Sequence, residues 1–344
     1  MRHLSVPSTK TASVREYLSN NGWLEKECGI QNLGDLRAIP LTDNAPEQIQ
    51  EYSQIELEPL VPGPKHWTER LDPDLFIKFE EFWPSSYDQI GDIVILKLTE
   101  QIEVFSEEIG NAFLEQFANV RVVCADKGVK GEFRVRDLTI IASRGNPSLQ
   151  TIVKENGNHI IVNPSLAYYS PRLATERIST LESAKQLKNR LGRPLDVCDP
   201  YAGIGPTLVT LLSAEGLVNE VIANDLNPEA VTILKKNIPN HHWIGCQDAR
   251  NLAKEHPSCA DMLLVNLPHD SLVHLPDLIG LLKKNQEVII RGWAIIDNSS
   301  IIETKAYLES IFDKAQINRI TITPAKSYSP LESYSSFEIS MILP

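Results

Sequence analysis

Several short stretches in the second half of the chain carry side chains whose type and spacing suit chemistry on a bound cofactor. Asp199-Pro200-Tyr201-Ala202-Gly203-Ile204-Gly205-Pro206-Thr207 follows directly on the apolar run Leu195-Asp196-Val197-Cys198. Gly203 and Gly205 allow a tight turn and a close backbone approach to a ligand, and Pro206 suits the first position of a helix. The third residue after Gly205 is Leu208, so the dinucleotide fingerprint G-x-G-x-x-G is not completed and a pyrophosphate is disfavoured. Val221-Ile222-Ala223-Asn224 ends at Asp225-Leu226, about 20 residues past the glycines, where a carboxylate can accept both hydroxyls of a ribose. Asn227 and Pro228 make helix capping the competing role there. Asp248, beside Ala249, is placed for an adenine amino group. Met262-Leu263-Leu264-Val265 then runs into Asn266-Leu267-Pro268, a tripeptide suited to reading the edge of a flipped base beside a methyl donor, or else a plain strand-to-loop turn.

These stretches need a scaffold that brings strand ends together. From Leu195 onward, short apolar runs alternate with helical ones: Leu195–Cys198, Pro206–Ala214, Val221–Ala223, Pro228–Asn237, Met262–Val265, Pro276–Lys284, Glu287–Ile290 and Ile301–Phe312. Strands alternating with helices predict a parallel, doubly wound sheet, and such sheets bind ligands at the carboxyl ends of their strands. Two closing strands, at Ile317–Ile322 and Ser336–Leu343, predict an antiparallel hairpin at one edge. The expected fold class is therefore α/β with a mixed doubly wound sheet, the arrangement of class I, Rossmann-like methyltransferases. Upstream lie a helix at Thr11–Asn20, a linker at Thr42–Gln48, a helix at Glu107–Phe117, and strand candidates at Gly91–Leu98, Val120–Val123 and Phe133–Ala142.

Composition bounds the function classes. With 344 residues and 42% hydrophobic content the chain can build more than one core. No run reaches the roughly 18 apolar residues of a membrane span, and the start lacks the apolar segment of a leader, so a cytoplasmic protein without membrane contact is expected. Cys28, Cys124, Cys198, Cys246 and Cys259 are scattered and never paired as C-x-x-C, which predicts reduced, buried thiols and no metal site. The net charge of −12 gives no global attraction to nucleic acid. One local stretch does: Arg172, Arg177, Lys185, Lys188, Arg190 and Arg193 stand against only Glu176 and Glu182. It is an RNA-binding patch or an ordinary solvated helix face.

The segments VNPSLAYYSPRLATER (Val162 to Arg177), DPYAGIGP, ANDLNPEAV (Ala223 to Val231), Asn266-Leu267-Pro268 and KSYSP (Lys326 to Pro330) together resemble the archaeal and eukaryotic tRNA (guanine-37-N1) methyltransferase family, over nearly the whole chain. The resemblance implies a small N-terminal tRNA-contacting domain at 1–52, a middle α+β RNA-binding domain at 53–168 and an S-adenosylmethionine-dependent methyltransferase domain at 169–344. It implies a monomer acting on tRNA through the anticodon stem-loop and the outer corner. Asp199, Tyr201, Gly203, Gly205, Asp225, Leu226, Asp248, Ala249 and Asn266 would hold the cofactor; Tyr168, Arg172 and Pro268 would line the base pocket. Guanine N1 carries a proton, so methylation requires a base and a partner for charge on O6. Glu176 matches the family's general base, Arg134 the arginine facing O6 with Arg136 as the alternative, and Asn266 the residue that fixes the guanine.

A free glutamate, with a pKa of about 4.3, is a weak base for this proton, so Glu176 is expected to be partly buried. A surface ion pair with Arg172 or Arg177 is its structural alternative. Ile178-Ser179-Thr180 lacks the basic residue that the family usually has two positions after Glu-Arg, and Leu331 stands where a polar or charged residue is common. The competing functions are a wybutosine-pathway transferase that hands over the aminocarboxypropyl arm of the same cofactor, and an RNA-binding protein without catalysis.

Overall fold

The computed structural model describes residues 1–133 and 135–344, which form two units, Met1–Glu80 and Glu81–Pro344. In the first, β1 (Arg2–Pro7), β2 (Gln31–Leu33), β3 (Leu36–Pro40) and β4 (Ser53–Glu56) make an antiparallel sheet in the order β2-β3-β1-β4. Helix α1 (Thr11–Asn20) covers it with Val14 and Leu18, four residues apart on one face and packed on Leu4, Val6 and Ile39. β4 pairs with β1 in this sheet, so Ser53–Glu56 stands past the sequence boundary at 52. The short α2 (Pro73–Lys78) is capped by the Asp72 carboxylate on the Leu75 amide.

The second unit opens with β5 (Tyr87–Ile90), β6 (Ile93–Leu96), α3 (Ser106–Gln116), β7 (Val122–Lys130) and β8 (Val135–Ser143), the strands ordered β5-β6-β7-β8 with β6 and β7 parallel. A hairpin, β9 (Thr151–Glu155) and β10 (Asn158–Val162), follows. α4 (Ala174–Leu191) then leads into β11 (Leu195–Asp199), α5 (Pro206–Leu212), β12 (Val218–Asn224), α6 (Pro228–Asn237), β13 (Trp243–Gly245), α7 (Leu252–Glu255), β14 (Met262–Val265), α8 (Ser271–Leu278), β15 (Glu287–Asp297), α9 (Ile301–Ile311), β16 (Gln316–Ser327) and β17 (Glu332–Ile342).

The seven-stranded sheet has the order β13-β12-β11-β14-β15-β17-β16. Neighbours from β13 to β15 run parallel, and β17 enters antiparallel between β15 and β16. The mixed doubly wound sheet and its antiparallel edge are thus as the sequence predicts. Strand order reverses at β11, flanked by β12 and β14, which opens a crevice at their carboxyl ends.

Period-two alternation splits the core between the sheet's faces. Met262 and Leu264 pack toward Ala184 and Leu187 of α4 and Leu208 and Leu211 of α5; Leu263 and Val265 pack toward Leu275 and Leu278 of α8 and Leu308 of α9. A third cluster joins Ile93, Ile95 and Val122 to Ile160 and Val162 of the hairpin and to Tyr169, Ile204, Ala230 and Ile233. The β5–β8 sheet and the Rossmann sheet are therefore fastened by shared apolar contacts at the glycine turn.

Two expectations need correction. The helix expected at Pro276–Lys284 runs instead from Ser271 to Leu278 with Pro276 inside it. Pro276 has no N–H for the Leu272 carbonyl four residues back, and the Tyr307 hydroxyl donates to that carbonyl at 3.4 Å instead. The cysteines are not uniformly buried: Cys124 and Cys198 are, Cys28 and Cys259 are half-buried, and Cys246 is exposed at the end of edge strand β13. Among the described residues, no helix is long and apolar enough to cross a membrane and no cluster of His, Cys, Asp or Glu is arranged to hold a metal.

Candidate active site

At the end of β11 the chain turns through Gly203 (φ +56°) and Gly205 (φ +79°) into α5. A Cβ on Gly203 would meet nothing within 4 Å, so its backbone faces open space. A Cβ on Gly205 would lie 2.4 Å from Leu234 Cδ1, so this glycine lets α6 pack against the turn. Asp225 accepts from the Gly203 amide at 2.7 Å through Oδ2 and from the Asn227 amide at 2.9 Å through Oδ1. Each oxygen keeps a second lone pair, as a ribose diol requires. Helix capping falls to Asn227, whose side chain accepts from the Glu229 amide, so the two roles divide between neighbours.

Asp199 is 1% exposed. Burial, opposed by the Tyr201 amide and reinforced by the charge of Asp225, pushes its carboxyl up to about 8. A buried acid of this kind favours a cation brought beside it. Burial likewise raises the Asp225 carboxyl, against the amides of Asn227, Gly203 and Leu226. Leu226 is 51% exposed beside the turn, an apolar face for a flat ring. Asp248 is hydrogen-bonded to the Arg250 guanidinium at 2.5 Å, which together with the Arg250 amide holds its carboxyl down at about 2. The neighbouring Ala249 is buried, and the Tyr201 hydroxyl lies 2.7 Å from His274 Nδ1. An open glycine backbone, a buried acid, a diol acceptor and an apolar wall fit S-adenosylmethionine, whose sulfonium supplies an electrophilic methyl when bound.

Asn224 holds this floor together. It is fully buried, donates to the carbonyls of Pro200 and Gln247 at 3.1 and 2.9 Å, and accepts from the Gln247 amide, tying the ends of β11, β12 and β13. The Asn266-Leu267-Pro268 turn is held similarly. Ser271, also fully buried, accepts from the Leu267 amide and donates to the Val265 carbonyl, both at 3.1 Å, while the Ile295 amide donates to Pro268 at 2.9 Å. The Asn266 side chain has no hydrogen-bond partner among the described residues.

Glu176 lies in the first turn of α4 with 27% of its side chain exposed, and its Oε2 is 3.6 Å from Arg291 Nη2. Arg291 is on β15 opposite Leu264, two residues before Asn266. At the next step Gly292 pairs with Val265, where any Cβ would lie 2.3 Å from the Val265 carbonyl oxygen. That glycine lets β15 close on the strand leading into the Asn-Leu-Pro turn. Arg291 also donates to Ser179, Thr180 and Ser183 of α4 and to Glu338 of β17.

The arginines flanking Glu176 are occupied elsewhere. Arg177 is buried on Glu155 at 2.5 Å and lies over the ring of Tyr169, which donates to the same carboxylate oxygen. Arg172 pairs with Asp88 at 2.5 Å, and Arg136 with Asp88 at 2.7 Å and Asp126 at 3.3 Å. Burial tends to raise the Asp88 carboxyl, but the Arg136 hydrogen bond and the charges of Arg136 and Arg172 leave it below the ordinary range. Tyr168 is 64% exposed. Arg134 lies outside the described residues. Sequence reasoning missed Asn224, Ser271, Arg291 and Glu155; only Asn224 and Arg291 carried a signal, a polar side chain directly after an apolar run.

Two family models match the chain, the TYW2 N-terminal domain over residues 69–147 and the TRM5/TYW2 methyltransferase domain over residues 151–318. The tRNA (guanine(37)-N(1))-methyltransferase Trm5b of Pyrococcus abyssi is 31% identical over 276 residues, 79% of this chain and 78% of that protein. Its crystal structure covers 100% of both chains with a TM-score of 0.69 and 25% identity. The complex of aTrm5 with tRNALeu covers 100% of both with a TM-score of 0.73 and 24% identity. Sheet order, glycine turn and strand-end carboxylates define a class I, Rossmann-like methyltransferase. Within that class the chain belongs to the Trm5 family of tRNA (guanine(37)-N(1))-methyltransferases.

Proposed function

We propose that this chain transfers the methyl group of S-adenosylmethionine to N1 of guanosine 37, on the 3′ side of the tRNA anticodon. The observation that supports this reading is that the Glu176 carboxylate lies 3.6 Å from the guanidinium of Arg291, a residue paired in register with Leu264, two residues before Asn266. Asp199, Tyr201, Gly203, Gly205, Asp225, Leu226, Asp248, Ala249 and the backbone at Asn266 hold the cofactor. The Asn266 amide fixes the extruded guanine edge, with Tyr168, Arg172 and Pro268 lining its pocket. Glu176 accepts the N1 proton, and an arginine steadies the charge left on O6. The pairing of Arg136 with Asp88 and Asp126 favours Arg134 for that part.

The substrate is tRNA, bound by a monomer in the cytoplasm through the anticodon stem-loop and, by way of the N-terminal unit, the outer corner. The 31% identity to a methyltransferase and the intact Asn-Leu-Pro turn favour methyl transfer over aminocarboxypropyl transfer. A half-buried Glu176 held 3.6 Å from Arg291, with an Asn266 side chain that has no hydrogen-bond partner among the described residues, argues against a protein that only binds RNA. The test is incubation with a tRNA transcript and S-adenosylmethionine labelled separately in the methyl and carboxyl groups, followed by mass spectrometry of the modified nucleotide. A methyl label at N1 of guanosine 37 is expected. Incorporation of the carboxyl label alone, or no incorporation, overturns the reading.

A further inference from the structure

Beside the Asn266-Leu267-Pro268 turn, three aromatic rings form a linked surface that neither cofactor binding nor proton removal uses. The Ile295 amide donates to the Pro268 carbonyl at 2.9 Å, and Ile295 lies opposite Tyr334 in the β15–β17 register. The Tyr334 ring meets Tyr328 edge-on, with centroids 5.1 Å apart and planes at 88°. Tyr328 in turn meets His269, the residue after Pro268, at 5.8 Å and 80°. The chain of contacts therefore begins and ends at the catalytic turn.

Tyr328 is 45% exposed at the tip joining β16 to β17. The tip is rigidly made: the amides of Tyr328 and Ser329 both donate to the Glu332 carbonyl, and the Ser329 hydroxyl donates to the Glu332 carboxylate. Exposed Lys326 sits opposite Tyr334 in the hairpin, and Leu331 is 70% exposed beside it. Tyr334 shares a sheet face with Arg291, because its register partner Ile295 is an even number of residues from Arg291 on β15. The aromatic surface and the Arg291–Glu176 pair thus lie on the same side of the sheet.

We propose that Tyr328, braced edge-on by His269 and Tyr334, is a stacking surface for the unpaired nucleobase next to the one presented to Asn266 and Glu176. The inference rests on the reading of the site as one that acts on tRNA. Extruding a base strips its loop neighbours of a stacking partner, and an exposed ring at the rim replaces it. Every base has a π-face, so stacking tolerates sequence variation around the target, and Lys326 is placed to meet the backbone phosphate.

The test uses full-length protein and tRNA transcripts carrying 2-aminopurine on the 5′ or the 3′ side of the target guanosine. With wild-type protein, fluorescence quenching is expected at one of the two positions. Tyr328→Ala should abolish that quenching and lower kcat/KM for tRNA by roughly 5- to 100-fold, the scale of one lost base–aromatic stack. Tyr328→Trp should retain both, and cofactor affinity should be unchanged in each variant, which also reports that the fold is intact. Wild-type protein that methylates guanosine 37 while neither probe is quenched, or a Tyr328→Ala variant with unchanged kcat/KM, overturns the stacking surface alone. Wild-type protein that transfers no methyl group to guanosine 37 overturns the reading beneath it.

Discussion

Glu176 Oε2 stands 3.6 Å from Arg291 Nη2, and Arg291 is held by Ser179, Thr180, Ser183 and Glu338. The glutamate thus faces a cation that cannot swing away, at a distance too long for a hydrogen bond and short enough to orient a carboxylate. Neither sequence neighbour competes, since Arg172 and Arg177 have carboxylates of their own.

Glu176→Gln keeps the shape and removes the proton acceptor. Methyl transfer should fall by roughly 10²-fold or more while S-adenosylmethionine affinity holds, because the carboxylate lies on α4 and not in the glycine turn. Single-turnover assays with an isothermal titration of the cofactor check both halves. Undiminished turnover would return Glu176 to a purely structural ion pair.

Asp199 is expected to make cofactor affinity depend on pH. With its carboxyl raised to about 8, the free protein carries the proton at neutral pH, whereas a bound cation favours the carboxylate. Only the deprotonated form then binds well, so affinity for S-adenosylmethionine should climb up to about tenfold per pH unit below about 8 and level off above it. Asp199→Asn should bind weakly with a flat profile. Calorimetry in buffers of different ionisation enthalpy should record proton release at pH 7; a wild-type affinity that ignores pH would remove Asp199 from the cofactor's charge.

Ser271→Ala deletes a fully buried hydroxyl that both accepts from Leu267 and donates to Val265. Leaving those groups unsatisfied should cost about 1–3 kcal/mol. Amide exchange at Leu267 should quicken, with kcat reduced and cofactor affinity kept. An unaltered exchange rate would mean that the turn is fixed by Pro268 and Ile295 without the serine.

Gly205→Ala and Gly203→Ala separate packing from backbone strain. Both glycines have positive φ, but only at Gly205 would a methyl run into Leu234, at 2.4 Å. Overpacking adds roughly 1–3 kcal/mol to a left-handed penalty of about 1 kcal/mol. Thermal unfolding should therefore show the larger fall for Gly205→Ala, and equal melting temperatures would contradict the packing argument.

Much of the fold was legible because it is encoded at short range. Pro228–Asn237 and Met262–Val265 form the helix and strand expected at those bounds, and the glycine turn follows its strand as predicted. Pro276 misled because proline marks a helix start only when nothing else satisfies the carbonyl behind it, and Tyr307 from α9 does so here. The partners of the basic stretch were likewise not legible. Arg172, Arg177, Lys185, Arg190 and Arg193 each have an acidic partner, four of them from outside the stretch: Asp88, Glu155, Glu287 and Asp261.

The sequence by itself determined the strand and helix rhythm, the glycine turn, and the carboxylates at successive strand ends, since each depends on spacing along a few residues. Only the tertiary structure decided which charges meet: Glu176 with Arg291, Arg177 with Glu155, and Arg193 with Asp261. The physical reason is that side-chain partners are chosen across a sheet, where strands far apart in the chain lie about 4.8 Å from one another, and sheet order is not written in any one segment.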